Sequence, residues 1–213
     1  MTEMVFWADP YLRQLDTCVM RVDGNKVTVA ETIFYALSGG QESDAGTIGG
    51  YDVLEAQWLD GDIVYTLADK HDLKPGDGVL IAIDWERRYR LMRLHFAAEL
   101  VLEIVYRTFP AIQKIGAHIA VDKARIDFAW DDTLSAHIPE IEEAVLELIR
   151  ADHEIKSSFS DRANLRRTWH IAGFATVPCG GTHLRRTSEI GEIYLKRKNP
   201  GKGKERLEIY LSD

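Results

Sequence analysis

Two residue pairs in this sequence have the types and the spacing to hold a metal ion. The first is Cys179 and His183, within PCGGTH (178–183). A thiolate and an imidazole are both good zinc ligands. Gly180, Gly181 and Thr182 between them suit a loop that turns tightly. The second pair is His95 and Glu99 in MRLHFAAEL (92–100). On a helix, residues at i and i+4 share a face and grip one ion from one side. Zinc accepts thiolate, imidazole and carboxylate in a roughly tetrahedral set. His95, Glu99, Cys179 and His183 are therefore a candidate Zn2+ site assembled from two distant segments.

The elements that must position these residues are legible in outline. CVMRVDGNKVTVAETIFY (18–35) reads as two strands around Asp23-Gly24-Asn25, a hairpin signal. LSGGQESDAGTIGG (37–50) is dense in turn residues, and VLIAID (79–84) is another strand. Many short strands with regular turns predict a small N-terminal β-barrel. From Trp85 the texture changes. Apolar residues at Leu91, Leu94, Ala98, Val101, Leu102 and Val105 have helical spacing, with Pro110 beyond the end and Asp84 placed as N-cap. GAHIAVD and ARIDFAW read as strands. Pro139 opens a second amphipathic helix, and residues 168–177 and 190–212 return to strands. The fold class expected is α+β, with a barrel-like domain over 1–84 and a zinc-binding α/β domain over 85–213.

The 213 residues are 46% hydrophobic and 28% charged, enough for a core without disulfides. The sequence holds two cysteines and seven histidines, no long apolar run and no signal-peptide pattern. A reduced, cytoplasmic protein with no membrane span is expected. The net charge of -8 taken globally argues against a nucleic-acid binder. Its distribution argues otherwise, because bases cluster at 86–93, 162–167 and 195–206 around the candidate metal residues. Arg87, Arg88 and Arg93 are candidate phosphate contacts.

Several of these stretches together resemble a known family. CGGTHLRRTSEIGEIYLKRK is similar to the zinc motif of alanyl-tRNA synthetase editing domains, and MRLHFAAEL is similar to that family's helical His-x-x-x-His segment. FYALSGGQESDAGTI (34–48) resembles its glycine-rich stretch, with Ser38 in place of the first glycine, and ARIDF (124–128) resembles a recurrent editing-domain strand. The fragments occur in the family's order and span most of the chain, which is too short for an aminoacylation core as well. The whole resembles the stand-alone AlaX-type editing proteins in their longer form, with an N-terminal barrel.

The resemblance implies hydrolysis of the ester that joins a wrong amino acid to the 3′ end of tRNA(Ala), seryl first and glycyl second. It implies Zn2+ as cofactor and the acceptor end of tRNA as partner. It places Ser38, Gly39, Gly40, Gln41 and Thr182 at the tRNA end; the bare reading of Ser38–Gln41 is a hairpin turn needing positive φ. Glu99 stands where the family has its second helix histidine. It is either the fourth zinc ligand, the favoured arrangement, or a catalytic base toward water at a three-ligand metal. Two other functions remain: a non-catalytic tRNA-binding relative with structural zinc, and a zinc hydrolase of another aminoacyl ester. The sequence does not speak to oligomeric state.

Overall fold

The computed structural model describes residues 1–68 and 70–212. In chain order the strands are β1 (Glu3–Met4), β2 (Gln14–Asp23), β3 (Lys26–Val29), β4 (Glu31–Thr32), β5 (Gly46–Ile48), β6 (Tyr51–Leu59), β7 (Asp62–Leu67) and β8 (Gly78–Ile83). Helix α1 (Trp85–Thr108) is followed by β9 (Gln113–Ile119), β10 (Ala124–Ala129), helix α2 (Ile138–Arg150), β11 (Lys156–Asp161), β12 (Arg166–Ile171), β13 (Ala175–Pro178), β14 (Ile193–Gly201) and β15 (Lys204–Leu211). The architecture is α+β and rich in strand. It comprises two compact units, Met1–Arg90 and Leu91–Asp213, and the division falls inside α1.

In the first unit six strands pair in the cyclic order β2-β3-β7-β6-β5-β8 and close on themselves. Strand β2 makes closure possible by serving two neighbours. Gln14–Cys18 pairs with β8, and Val19–Asp23 pairs with β3. The β6–β7 hairpin turns through Asp60 (φ 53) and Gly61 (φ 79), two left-handed residues in succession, as a type I′ turn requires. Strand β7 alternates strictly, sending Ile63, Tyr65 and Leu67 into a core shared with Phe6, Phe34 and Ile81.

Asp84 caps α1, its carboxylate accepting from the Arg87 amide at 3.1 Å. The next turn corrects one expectation. Arg88 is fully buried rather than phosphate-facing. Its guanidinium pairs with the Asp44 carboxylate, also fully buried, and donates to the carbonyls of Pro10 and Ile33. Arg87 donates to Glu42 at 2.7 Å and to the Ser43 carbonyl at 3.1 Å. Both arginines fasten the glycine-rich loop. A buried carboxylate at Asp44 demands a cation, and Arg88 satisfies that demand.

In the second unit β14-β15-β10-β9 form a four-stranded antiparallel sheet, and β11-β12-β13 a three-stranded one. From Leu91 onward α1 is buried on nearly every side, with Leu91, Met92, Leu94, Phe96, Ala97, Leu100 and Val101 all at 0% exposure. It is a central helix rather than a one-faced surface helix. Helix α2 is one-faced, burying Ile141, Val145, Leu146 and Ile149. Among the described residues no helix is long and apolar enough to cross a membrane.

Replacing Arg88 by Met should destabilise the first unit by about 3–5 kcal/mol, because Asp44 keeps its charge and loses its partner. Urea unfolding measures this. An unchanged midpoint would show that the pair is not the clamp described.

Candidate metal centre

The site is assembled from the centre of α1 and the loop after β13. His95 lies on α1 at 5% exposure, inside the apolar packing of that helix. The ladder between β12 and β13 delivers Cys179. Thr168 pairs with Pro178, and the Cys179 amide continues the ladder by donating to the Arg167 carbonyl at 2.9 Å. The chain then turns so that Gly181 lies flat against the His95 imidazole. A methyl group on Gly181 would sit 2.4 Å from Cε1 and 2.9 Å from Nε2 of that ring. Only a residue without a side chain permits the approach. The guanidinium of Arg167 holds the turn from behind, donating to the Gly181 carbonyl at 3.2 Å.

This turn carries His183 back toward Cys179. His95 Nε2 and His183 Nε2 each lie 3.2 Å from the Cys179 sulfur, and the three ligand atoms lie within 4.8 Å of one another. Zn–S and Zn–N bonds of about 2.3 and 2.0 Å at tetrahedral angles set sulfur and nitrogen about 3.5 Å apart, so the cluster fits zinc with a small expansion. Ser157 on β11 hydrogen-bonds His183 Nδ1 at 2.8 Å, turning Nε2 toward the sulfur. Such an outer partner is what a metal-binding histidine needs. Phe96 packs edge-on against both Trp169 and His183.

Glu99 stands outside this three-residue group. One carboxylate oxygen accepts from the Trp169 indole at 3.1 Å, and the other faces His95 Nε2 at 3.4 Å. The structure thus gathers three of the four ligands expected from the sequence, with the fourth residue beside them and tethered elsewhere. The electrostatics follow. Burial pulls the His95 imidazole down, but the Cys179 sulfur and the Glu99 carboxylate outweigh it and hold it at about 10. Burial pushes Glu99 up, but His95, the Trp169 N–H and His183 carry it down to about 2. His183, desolvated and next to the His95 charge, is held well below the usual histidine range.

The other sequence candidates fall in different places. Ser38 and Gln41 exchange both backbone hydrogen bonds, with Gly39 (φ 61) and Gly40 (φ 90) between them. The turn reading of this stretch is what the structure has. Ser38 and Gly39 are exposed at its tip, while the Gln41 side chain is fully buried. Thr182 is buried within the ligand loop. Arg93 is half-buried, and its Nε donates to the Ile190 carbonyl at 2.9 Å. Trp169, Ser157 and Arg167 are site residues that sequence reasoning misses. Ser157 lies in a polar stretch without periodicity, and Arg167 is one arginine of an ordinary basic cluster.

Residues 162–208, which include Cys179 and His183, match the family described as threonyl and alanyl tRNA synthetase second additional domain. The alanyl-tRNA editing protein AlaX-M of Pyrococcus horikoshii is 33% identical over 99% of this chain and 98% of its own length. The chain belongs to the AlaX-type alanyl-tRNA editing family. AlaX-M of Saccharolobus solfataricus is 33% identical over 97% of the chain and 98% of its own length. An alanine–tRNA ligase of Methanococcus maripaludis is 30% identical over 97% of the chain, which matches only 26% of that much longer protein.

Two outcomes test the centre. Metal binding must displace the proton that His95 holds up to a pKa of about 10, so zinc affinity of the metal-free protein should rise with pH, about tenfold per unit between pH 6 and 9. Competition against a chromophoric chelator reads this, and a flat profile would show that His95 holds no proton in that range. Gly181→Ala should weaken zinc by about 10- to 100-fold, the scale seen when a group that orients a ligand is removed.

Proposed function

We propose that this protein is a trans-acting, zinc-dependent deacylase. It hydrolyses the ester joining a wrongly attached amino acid, serine first and glycine second, to the 3′ end of tRNA(Ala). The observation that carries this reading is the three-residue cluster of His95, Cys179 and His183 with Glu99 beside it but not in it. Three protein ligands leave a position for water or substrate, as catalytic zinc sites do. A structural zinc in a non-catalytic relative calls for a closed set of four. Membership of the editing family supports the substrate class.

His95, Cys179 and His183 would hold the ion, with Ser157 fixing the His183 ring and Arg167 fixing the loop. When bound, zinc supplies Lewis acidity toward a carbonyl oxygen or a water. Glu99, with one oxygen facing the cluster, would accept a proton from the attacking water. The Trp169 indole holds its other oxygen, so the accepting oxygen keeps one position. The exposed tip at Ser38 and Gly39 has bare backbone to offer tRNA. On this reading residues 85–213 form the editing domain and 1–84 an accessory one.

Discrimination is a problem of size and polarity. A synthetase pocket built for alanine cannot strongly reject glycine, nor serine, which merely adds a hydroxyl, so a second site must remove both. A group that hydrogen-bonds the serine hydroxyl is left unpaired when alanine binds. That costs about 1–3 kcal/mol, or roughly ten- to a hundredfold in rate.

Comparing initial rates on seryl-, glycyl- and alanyl-tRNA(Ala) should show that order of preference; equal rates on seryl and alanyl substrates would end the proofreading assignment. Glu99→Gln should retain zinc and lose about 10²- to 10⁴-fold in kcat. Loss of zinc from that variant would instead make Glu99 a ligand.

A further inference from the structure

The four-stranded sheet has one face that the site does not use. Its inner face carries Leu195, Ile209, Ile126 and Phe128 into the core. By alternation the opposite face presents Tyr194, Lys196 and Lys198 of β14, each opposite a β15 residue: Tyr210, Glu208 and Arg206. Tyr194 and Tyr210 stack in parallel, with centroids 5.0 Å apart and planes at 5°. Lys196 sets its ammonium over both rings, 5.2 and 5.0 Å from their centroids.

Charge on this face is sorted unevenly. Its two carboxylates are already neutralised. Asp127 is held between Arg125 and Arg206, and Glu208 is held by Lys123 at 2.7 Å. Lys196 and Lys198 remain exposed, and Lys198 only adds to the positive field around Glu208, whose charge Lys123 already meets at 2.7 Å. Five cations against two anions is an excess of three positive charges, on one sheet face of a chain whose net charge is -8.

We propose that this face of β14 and β15 is an RNA-docking surface. Lys196 and Lys198 meet backbone phosphates, and the exposed ring of Tyr194 offers a stacking platform to an unpaired base. An open antiparallel sheet bearing aromatic rings among basic side chains is a recurrent way to hold RNA. An anionic polymer is also the partner that an uncompensated cationic face on an acidic protein selects. The proposal deepens the tRNA reading given above and rests on it for the identity of the RNA. It assigns these residues to binding and not to the ester chemistry.

The test uses the full chain and three probes: uncharged tRNA, seryl-tRNA(Ala), and a seryl ester on a 3′ oligonucleotide of a few residues. In the variant K196E/K198E the dependence of log binding constant on log salt should become shallower by about 0.7–0.9 for each phosphate no longer neutralised. Its KM on seryl-tRNA should rise at least tenfold while kcat, and the rate on the short ester, stay within twofold of wild type. Tyr194→Ala should weaken tRNA binding about five- to a hundredfold, and K196R/K198R should restore wild-type binding. If wild type and K196E/K198E bind and deacylate tRNA alike, the surface is wrong and the deacylase reading stands. If wild type hydrolyses neither ester but binds tRNA in a way the charge reversal abolishes, the deacylase reading is wrong and the surface stands. A wild type that binds no tRNA overturns the surface. An equal loss on tRNA and on the short ester means the substitutions disturb the fold or the site, and also overturns it.

Discussion

The candidate metal centre depends on how closely a backbone can approach an imidazole ring. Cys179 and His183 belong to one loop, and His95 belongs to a helix buried on nearly all sides. The loop reaches the helix only because residue 181 has no side chain. Everything around it enforces that approach. The β12–β13 ladder sets where the loop begins, Arg167 holds its carbonyl, and Ser157 fixes the ring that closes it. Rigid support of this kind lets three donors converge without the ion having to organise them, and preorganised ligands bind with less ordering entropy lost.

Much of this was legible in the sequence, for local reasons. Ligand types at i and i+4 on a helix, and a Cys–His pair spanning a glycine-rich turn, are short-range patterns. So are the Asp84 cap, the Gly24 hairpin and Pro139 at the start of α2. What escaped the sequence was long-range. Whether Glu99 ligates depends on Trp169, seventy residues away, which holds one of its oxygens. Strand β11, KSSFSD, is too polar to show a period, yet it supplies the hydroxyl that orients His183. The closeness required of Gly181 cannot be told by spacing from an ordinary flexible turn.

The arginines show the same limit from the other side. In sequence, ERRYRLMR is a basic cluster and reads as a phosphate-facing surface. In the fold Arg87 and Arg88 meet Glu42 and Asp44 of the glycine-rich loop, and Arg93 reaches the Ile190 carbonyl. A run of like charges says that counter-charges exist somewhere. It does not say whether they are solvent, a ligand or the protein itself. Asp44 decides the case for Arg88, because an unpaired carboxylate at its depth is far more costly than an arginine withdrawn from the surface.

An acidic protein proposed to bind an anionic polymer requires a reason why the net charge does not forbid it. At physiological ionic strength the screening length is about 8 Å, so a phosphate responds chiefly to charges close to it and hardly at all to those on the far side. The net negative charge weakens attraction at long range, which slows encounter and disfavours nonspecific nucleic acid. The lysines of β14 act only at short range. Glu208 and Asp127, which would oppose them, are neutralised in place by Lys123, Arg125 and Arg206. That arrangement suits a protein that must release each tRNA it has sampled: weak overall attraction, with a short-range face that rewards correct docking.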